Sequence, residues 1–369
     1  MKSRGCWKFA VFMALLTVVT TTGLGQGSLV PPPEALSNGV PVSVMKSIDQ
    51  VEPRKIIDSL PYTITQPGSY YLVSNLTGQV NAHGIIIACN DVRVDLGGFA
   101  LNGVSNSWNA IHVSAPIVEN LVVRNGLIRG WGPGGPNATT GFGLMASNAM
   151  DVVISDLKAF GNACGGLYVG DNAMIDRCAA YGNGYAAKGM TTPLDSGIQC
   201  GYYGTIKDCK ARGNRGAGIF VGPHSRINGC TSSENNADGI KGNSFCTIRD
   251  CVANMNRSQG ITVFSMCRVT ENTCCQNGFN VQGAVIDGSG TGIRVAGNNN
   301  LIEKNILVQN SAFGLNAIMG SGNLIVNNCG SWNASNNFNI GSSSYKGQVV
   351  QPAQGDITNS NPWTNFQFN

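Results

Sequence analysis

A chain of 369 residues with 49 glycines and only 12% charged residues lacks the low hydrophobicity and high net charge of a disordered chain. Its formal charge is +4, and removing a basic N-terminal leader would lower it to +1. So small an excess cannot neutralise a run of phosphates, which excludes nucleic acid as the expected partner.

The first residues carry Lys2, Arg4 and Lys8, an apolar run from Phe9 to Val19, and small residues at Gly23-Leu24-Gly25. This is the pattern of a secretory signal over residues 1–25. The apolar run is about half of the roughly 20 residues needed to span a bilayer, and no second one follows, so no transmembrane segment is expected. The expected location is therefore secreted, periplasmic or at the cell surface. Residues 26–55, with Pro31-Pro32-Pro33, read as a linker. Residues 56–80 hold two strand-like runs around Pro67-Gly68 and read as an N-terminal cap.

From there the chain repeats itself. Gly197-Ile198, Gly218-Ile219, Gly239-Ile240 and Gly260-Ile261 follow one another at 21-residue intervals. A unit this short cannot enclose a core alone and must stack on its neighbours as a solenoid. Ten such coils are expected over 81–340, starting near Gly84, Ala110, Gly141, Gly166, Gly197, Gly218, Gly239, Gly260, Gly292 and Gly314. Apolar residues alternate after each Gly, which predicts short strands, three to a coil. Asn183, Asn214, Asn235, Asn256 and Asn277 share one slot, where Asn tolerates left-handed turn geometry and its amide can bond the same amide one rung along. Cys178, Cys209, Cys230 and Cys251 share another and read as small buried side chains. Cys246 and Cys267 are the best candidates for a disulfide between rungs. Residues 341–369 read as a C-terminal cap in which Trp363, Phe366 and Phe368 would cover the last rung.

The sequence Gly-Ile-x-Val, followed by Ile-x-x-Cys-x-Ala and then Asn, resembles the right-handed parallel β-helix repeats of the pectate-lyase-like superfamily. The resemblance covers roughly residues 80 to 340. It implies an all-β, single-stranded parallel β-helix, and Val94–Phe99 and Val123–Ile128 are similar to the first coils of secreted bacterial members. The catalytic signatures of polygalacturonases and of many pectate lyases are missing. Gly222-Pro223-His224-Ser225 is similar to the Asp-Pro-His-Glu or Asp-Pro-His-Asp stretch of alginate C5-epimerases, but both carboxylates are replaced.

Function is expected where the repeat is broken. Three insertions, roughly Trp131 to Thr140, Gly184 to Ser196 and Phe279 to Thr291, interrupt the same turn and so emerge along one edge. Beside that edge runs the outward slot of the Gly-Ile strand, with His112, Tyr168, Gln199, Phe220, Lys241, Thr262, Arg294 and Asn316. Such a row suits a carbohydrate chain, with His112, Tyr168, Gln199 and Phe220 as substrate-binding residues, or is an ordinary solvent-facing strand. Asp195 and Asp238, with Asp287 in the third insertion, could act as acid and base. Uronate lyases or epimerases instead need a neutralised carboxylate and a base beside the sugar C5, to which Lys241, Arg294 or His224 could contribute. The catalytic candidates are thus Asp195, Asp238, Lys241 and Arg294. No metal or cofactor is evident; Ca²⁺ stays open but unsupported, since no carboxylate cluster suited to it is visible, and the expected state is a monomer. The expected partner is a polysaccharide, possibly acidic, with lyase, epimerase or hydrolase chemistry open; the alternative is a non-catalytic surface, adhesion or scaffold β-helix. A second outward face carries Lys207, Arg226, Arg249 and Arg268, interleaved with Asp208 and Asp250.

Overall fold

The computed structural model describes residues 36–37, 40–41, 53–132, 140–185, 195–279, 289–352 and 359–368. The leader, most of the linker and the inner parts of the three insertions, Asp287 included, lie outside the described residues. The chain divides after Pro53. In the first unit Leu36–Ser37 pairs antiparallel with Val40–Pro41.

The second unit is a parallel β-helix. Twelve strands, from Tyr62–Ile64 to Asn336–Ile340, stack in sequence order into one parallel sheet, here called the Gly-Ile sheet. Its register follows the repeat, with Ile198, Ile219, Ile240, Ile261 and Ile293 in one column. Each coil then turns into a second strand, such as Thr205–Lys207, and a third, such as Lys210–Arg212, which stack into their own sheets. In two early coils the second and third strands fuse into one eight-residue strand, Val122–Arg129 and Val153–Phe160. Among the described residues no helix is long and apolar enough to cross a membrane.

Side chains alternate in and out along each strand, so one column per slot fills the interior. The five isoleucines above are fully buried, as are Ile175, Ile206 and Ile248 of the second sheet. Each such burial contributes roughly 1.5–3 kcal/mol. Between the third sheet and the next Gly-Ile strand runs the asparagine ladder. The Nδ2 of Asn214 donates to Oδ1 of Asn235 at 3.0 Å, Asn235 to Asn256 at 2.9 Å and Asn256 to Asn277 at 3.1 Å. Each Oδ1 also accepts the backbone N–H of the preceding rung's asparagine. This ladder explains the glycine of the Gly-Ile pair: a Cβ on Gly239 would stand 2.5 Å from Asn256 Nδ2 and 2.7 Å from the Gly260 carbonyl oxygen.

The cysteine column is a second ladder. The sulfur of Cys209 accepts the Cys178 N–H at 3.4 Å, and the same column continues as Asn272, Asn305, Asn328 and Asn365. All twelve described cysteines are free. The expected Cys246–Cys267 bridge is not formed; Cys267 Sγ instead accepts the Cys246 N–H at 3.4 Å, which employs the sulfur as a ladder acceptor.

Three details differ from the sequence reading. The third coil starts at Gly143 rather than Gly141, because Leu144 pairs with Leu167. The segment 56–80 is built as a coil, with Tyr62–Ile64, Gly68–Leu72 and Leu76–Thr77 each pairing in parallel with the following rung. At the other end Asn365–Phe368 adds a parallel strand to the last rung of the third sheet rather than an aromatic lid: Trp363 and Phe368 are exposed, Phe366 is half-buried, and the buried residues there are Thr364 and Asn365. Asn365 terminates a ladder, accepting from Asn328 and donating to the Ile325 and Gly347 carbonyls. The second outward face is internally neutralised, with Lys207, Arg249 and Arg268 in ion pairs with Asp208, with Asp250 and Glu271, and with Glu303.

Asn235→Ala would strand the buried N–H of Asn214 and remove one partner each from Asn214 Nδ2, Asn256 Oδ1 and the Ala211 carbonyl. At about 1–3 kcal/mol per orphaned group, it should destabilise the solenoid by several kcal/mol in denaturant unfolding, whereas Asn236→Ala, on the surface beside it, should have little effect. Native alkylation should reach the half-exposed Cys89, Cys275 and Cys329 well before the nine buried thiols.

Candidate functional site

The register places the outward row of the Gly-Ile sheet in one line: His112, Met145, Tyr168, Gln199, Phe220, Lys241, Thr262, Arg294 and Asn316. Strands are about 4.8 Å apart, so neighbours on the row touch and distant members do not. His112 lies four strands from Phe220, stacked on His83 with ring centroids 4.0 Å apart. Burial lowers the pKa of both imidazoles, that of His83 to about 4. Arg294 stands two strands beyond Lys241, exposed, with its guanidinium against Met319. Neither belongs to the central cluster.

That cluster is a cavity of about 240 Å³ at the edge of the sheet, lined by Asp195, Ser196, Arg215, Gly216, Ala217, Phe220, Asn236, Ala237, Asp238 and Lys241. It brings together Asp195, Asp238, Lys241 and Phe220 from the sequence candidates. Its construction follows from three successive rungs. Gly197 N–H bonds to the Ala217 carbonyl and Gly218 N–H to that of Asp238, so Ser196, Ala217 and Asp238 are stacked in one column. The first rung supplies Asp195, the third Asp238, and the middle rung is cut back to Gly216-Ala217. Gly216 has no room for a side chain, since a Cβ would stand 2.7 Å from the Asp195 backbone carbon. The two acids therefore line one cavity from rungs two apart, on the order of 10 Å between backbones.

The Asp195 side chain is 4% exposed. Its Oδ2 accepts no hydrogen bond, and its ion-pair partner, Arg215 Nε, is 3.9 Å away. Burial raises the carboxyl to about 6, with Arg215 pulling the other way. Asp238 is tethered by the Gln259 N–H, 3.2 Å from its Oδ1. Lys241 Nζ lies 5.9 Å from the centroid of the Phe220 ring, a cation–π contact that holds the ammonium over the cavity mouth. Buried polar atoms without a hydrogen-bond partner gather on this face: Asp195 Oδ2, Ser196 Oγ, Gln199 Oε1, Thr262 Oγ1 and His112 Nδ1 are five of the eight among the described residues. The arrangement offers a carboxyl that keeps its proton up to about pH 6, a second carboxylate, a cation and a ring beside a strip of unsatisfied polar groups.

Arg215, Gly216 and Ser196 were not singled out in the sequence; the signal was the pair of small residues directly before Gly218, between two rungs that carry acids. His224 lies elsewhere, in the turn after the Gly-Ile strand, its ring between those of Tyr203 and Phe245 at 5.1 and 4.5 Å. Among the described residues no group of three or more His, Cys, Asp or Glu is placed to hold a metal ion.

With this geometry in view, the chain can be compared with known proteins. A family model described as "right handed beta helix region" matches residues 142–284. The A-module of the mannuronan C-5 epimerase AlgE4 from Azotobacter vinelandii is similar in structure, with a TM-score of 0.55 and 12% identity over 79% of this chain and 86% of that one. The Dettilon tailspike protein has a TM-score of 0.58 and 16% identity, covering 79% of this chain and 60% of that one. No curated protein matches the sequence. The protein is thus a right-handed parallel β-helix. More particularly, that fold is shared with the epimerase A-module and the tailspike protein.

The raised Asp195 carboxyl has a consequence for stability. Its proton is favoured in the folded state, so the associated stability is complete below the ordinary carboxylate pKa near 4 and is lost as pH rises through about 6. The shift corresponds to at most roughly 3 kcal/mol. Asp195→Asn should therefore raise the melting temperature at about pH 8 and leave it nearly unchanged at about pH 4, as measured by calorimetry across that range.

Proposed function

We propose that this protein is secreted, binds a polysaccharide along the outward row of the Gly-Ile sheet, and cleaves it by acid–base chemistry in the Asp195–Asp238 cavity. The observation that carries this reading is the convergence of a buried, proton-holding carboxyl and a second carboxylate on one cavity beside that row. A sugar chain laid across the strands would present hydroxyls to Gln199 and Thr262 and a ring face to Phe220 or Tyr168. Aromatic rings with a few placed polar groups are what a concave sugar site needs.

In this reading Asp195 donates its proton to the departing glycosidic oxygen. Asp238 takes the proton of the attacking water in hydrolysis, or that of the sugar C5 in elimination. Lys241 would neutralise a uronate carboxylate, which suits an acidic substrate. The structurally similar epimerase is named for action on mannuronan, another chain of uronic acids. Secretion rests on the basic and apolar leader, and the mature protein should begin close to residue 26.

The test is incubation with a panel of uronate-containing and neutral polysaccharides, following new reducing ends and unsaturated products separately. Asp195→Asn, folded and at least as stable as the parent near neutral pH, should lower kcat by about 10²–10⁴-fold, the usual contribution of general acid–base catalysis. Lys241→Ala should act mainly on KM. Equal turnover by Asp195→Asn and the parent would refute the assignment, and binding without turnover across the panel would leave the non-catalytic alternative.

A further inference from the structure

The third sheet carries a second groove, separate from the Asp195 cavity but only a turn away on shared rungs: Gly213 and Glu234 line the groove, Arg215 and Asn236 the cavity. Two concavities, of about 670 and 380 Å³, meet at Phe160 and run along its outer face. The outward row beneath them is Thr77, Asn102, Arg129, Phe160, Tyr181, Arg212 and Ser233, seven strands in register. At about 4.8 Å per strand this is roughly 29 Å of groove.

Its wall is kept low by glycine. The turn following each third strand holds a left-handed residue, and along the groove that residue is Gly130, Gly161, Gly182 and Gly213. Left-handed geometry does not demand glycine in this column, because the later rungs place Glu234, Met255, Gln276, Gln309 and Trp332 there with the same positive φ. Nor is space the reason: a Cβ on Gly161, Gly182 or Gly213 would meet nothing within 4 Å. The side chains are absent over four successive rungs of the groove and return with Glu234 on its last rung.

The floor has the chemistry of a glycan site. Phe160 is 47% exposed, Tyr181 is half-buried beside it, and neither ring is stacked on another aromatic among the described residues. This contrasts with Tyr203, His224 and Phe245, whose faces cover one another. Around the two rings stand the exposed cations Arg129, Lys210 and Arg212. Glu234 is the one acid lining the groove, and it is already paired with Arg212 at 2.9 Å. We propose that this groove is a binding site for a linear polysaccharide bearing carboxylates, with Phe160 and Tyr181 stacking on sugar faces and Arg129 and Lys210 receiving the acid groups. Three cations are too few to draw a nucleic acid, whose affinity comes from many phosphates.

The groove is tested apart from the first-sheet site by titrating a short oligogalacturonate, its methyl ester and a single-stranded DNA oligomer into Phe220→Ala/Lys241→Ala protein by calorimetry. Oligogalacturonate should still bind in that background, and adding Phe160→Ala or Arg129→Gln/Lys210→Gln should weaken it about tenfold or more, a loss of about 1.4 kcal/mol. The methyl ester should bind correspondingly less well than the acid. Phe160, Arg129 and Lys210 are exposed, so unchanged melting temperatures should accompany these losses. Absence of binding in the Phe220→Ala/Lys241→Ala background, indifference to the groove variants, equal affinity for the ester, or tighter binding of DNA would each overturn the proposal.

Discussion

Rung-to-rung hydrogen bonding between identical side chains sets the terms for this protein. An Asn amide that donates to the same amide one coil along, while accepting the backbone N–H of the asparagine one coil back, needs every coil to rise by one strand spacing and to turn at the same residue. Everything near the ladder must give way to it. The Gly of each Gly-Ile pair has no Cβ because the amide occupies that volume, and the residues three before the asparagine stay small, as in Ala180, Ala211, Ser232 and Ala253. The cysteine column obeys the same geometry with sulfur as the acceptor, and where it passes into Asn272 and Asn305 the acceptor changes without a change in register.

A scaffold constrained in this way confines variation to outward slots and to the single turn that accepts insertions. This is why the sequence reveals the fold so readily and the site only in part. Repetition converts positions 21 apart into neighbours, so the columns of Ile198, Asn214 and Cys209 can be read as stacked before any coordinates are known. The same arithmetic puts Asp195, Phe220, Asp238 and Lys241 within reach of one another, and separates His112 and Arg294 from them by whole rungs. What it does not reveal is depth. Whether Asp195 is solvated or buried depends on Gly216 and Arg215, residues whose types are unremarkable for a turn.

Where the period is disturbed the reading slips. Gly141 and Gly143 lie two residues apart, and only pairing shows that Gly143 meets the next coil's glycine position. The N-terminal segment looks like a cap because its Pro-Gly turn breaks the 21-residue spacing, yet its strands already lie in register with the first repeats. At the C-terminus, aromatics suggest a hydrophobic lid, whereas the end of the solenoid is governed by the need to satisfy ladder amides, which Asn365 meets. The third-sheet groove was legible in principle, as Gly161-Asn162, Gly182-Asn183 and Gly213-Asn214 give way to Glu234-Asn235 and Met255-Asn256.

The distribution of unsatisfied polar atoms then separates scaffold from site. Inside the helix even fully buried amides have complete sets of partners: Asn272 Nδ2 alone donates to Asn305 Oδ1 and to the Ile248 and Thr270 carbonyls. A fold that satisfies its interior so thoroughly has the means to satisfy an outward Gln or Thr as well. Gln199 and Thr262, both nearly buried, nonetheless keep an oxygen unpaired on the same face where Asp195 is held against its preference for water. Each such group costs about 1–3 kcal/mol, a cost that selection for stability alone would remove by substitution to an apolar residue. Five of the eight such atoms among the described residues gather on one face, beside a cavity lined by small residues, which sets that face apart from the regular columns that hold it up.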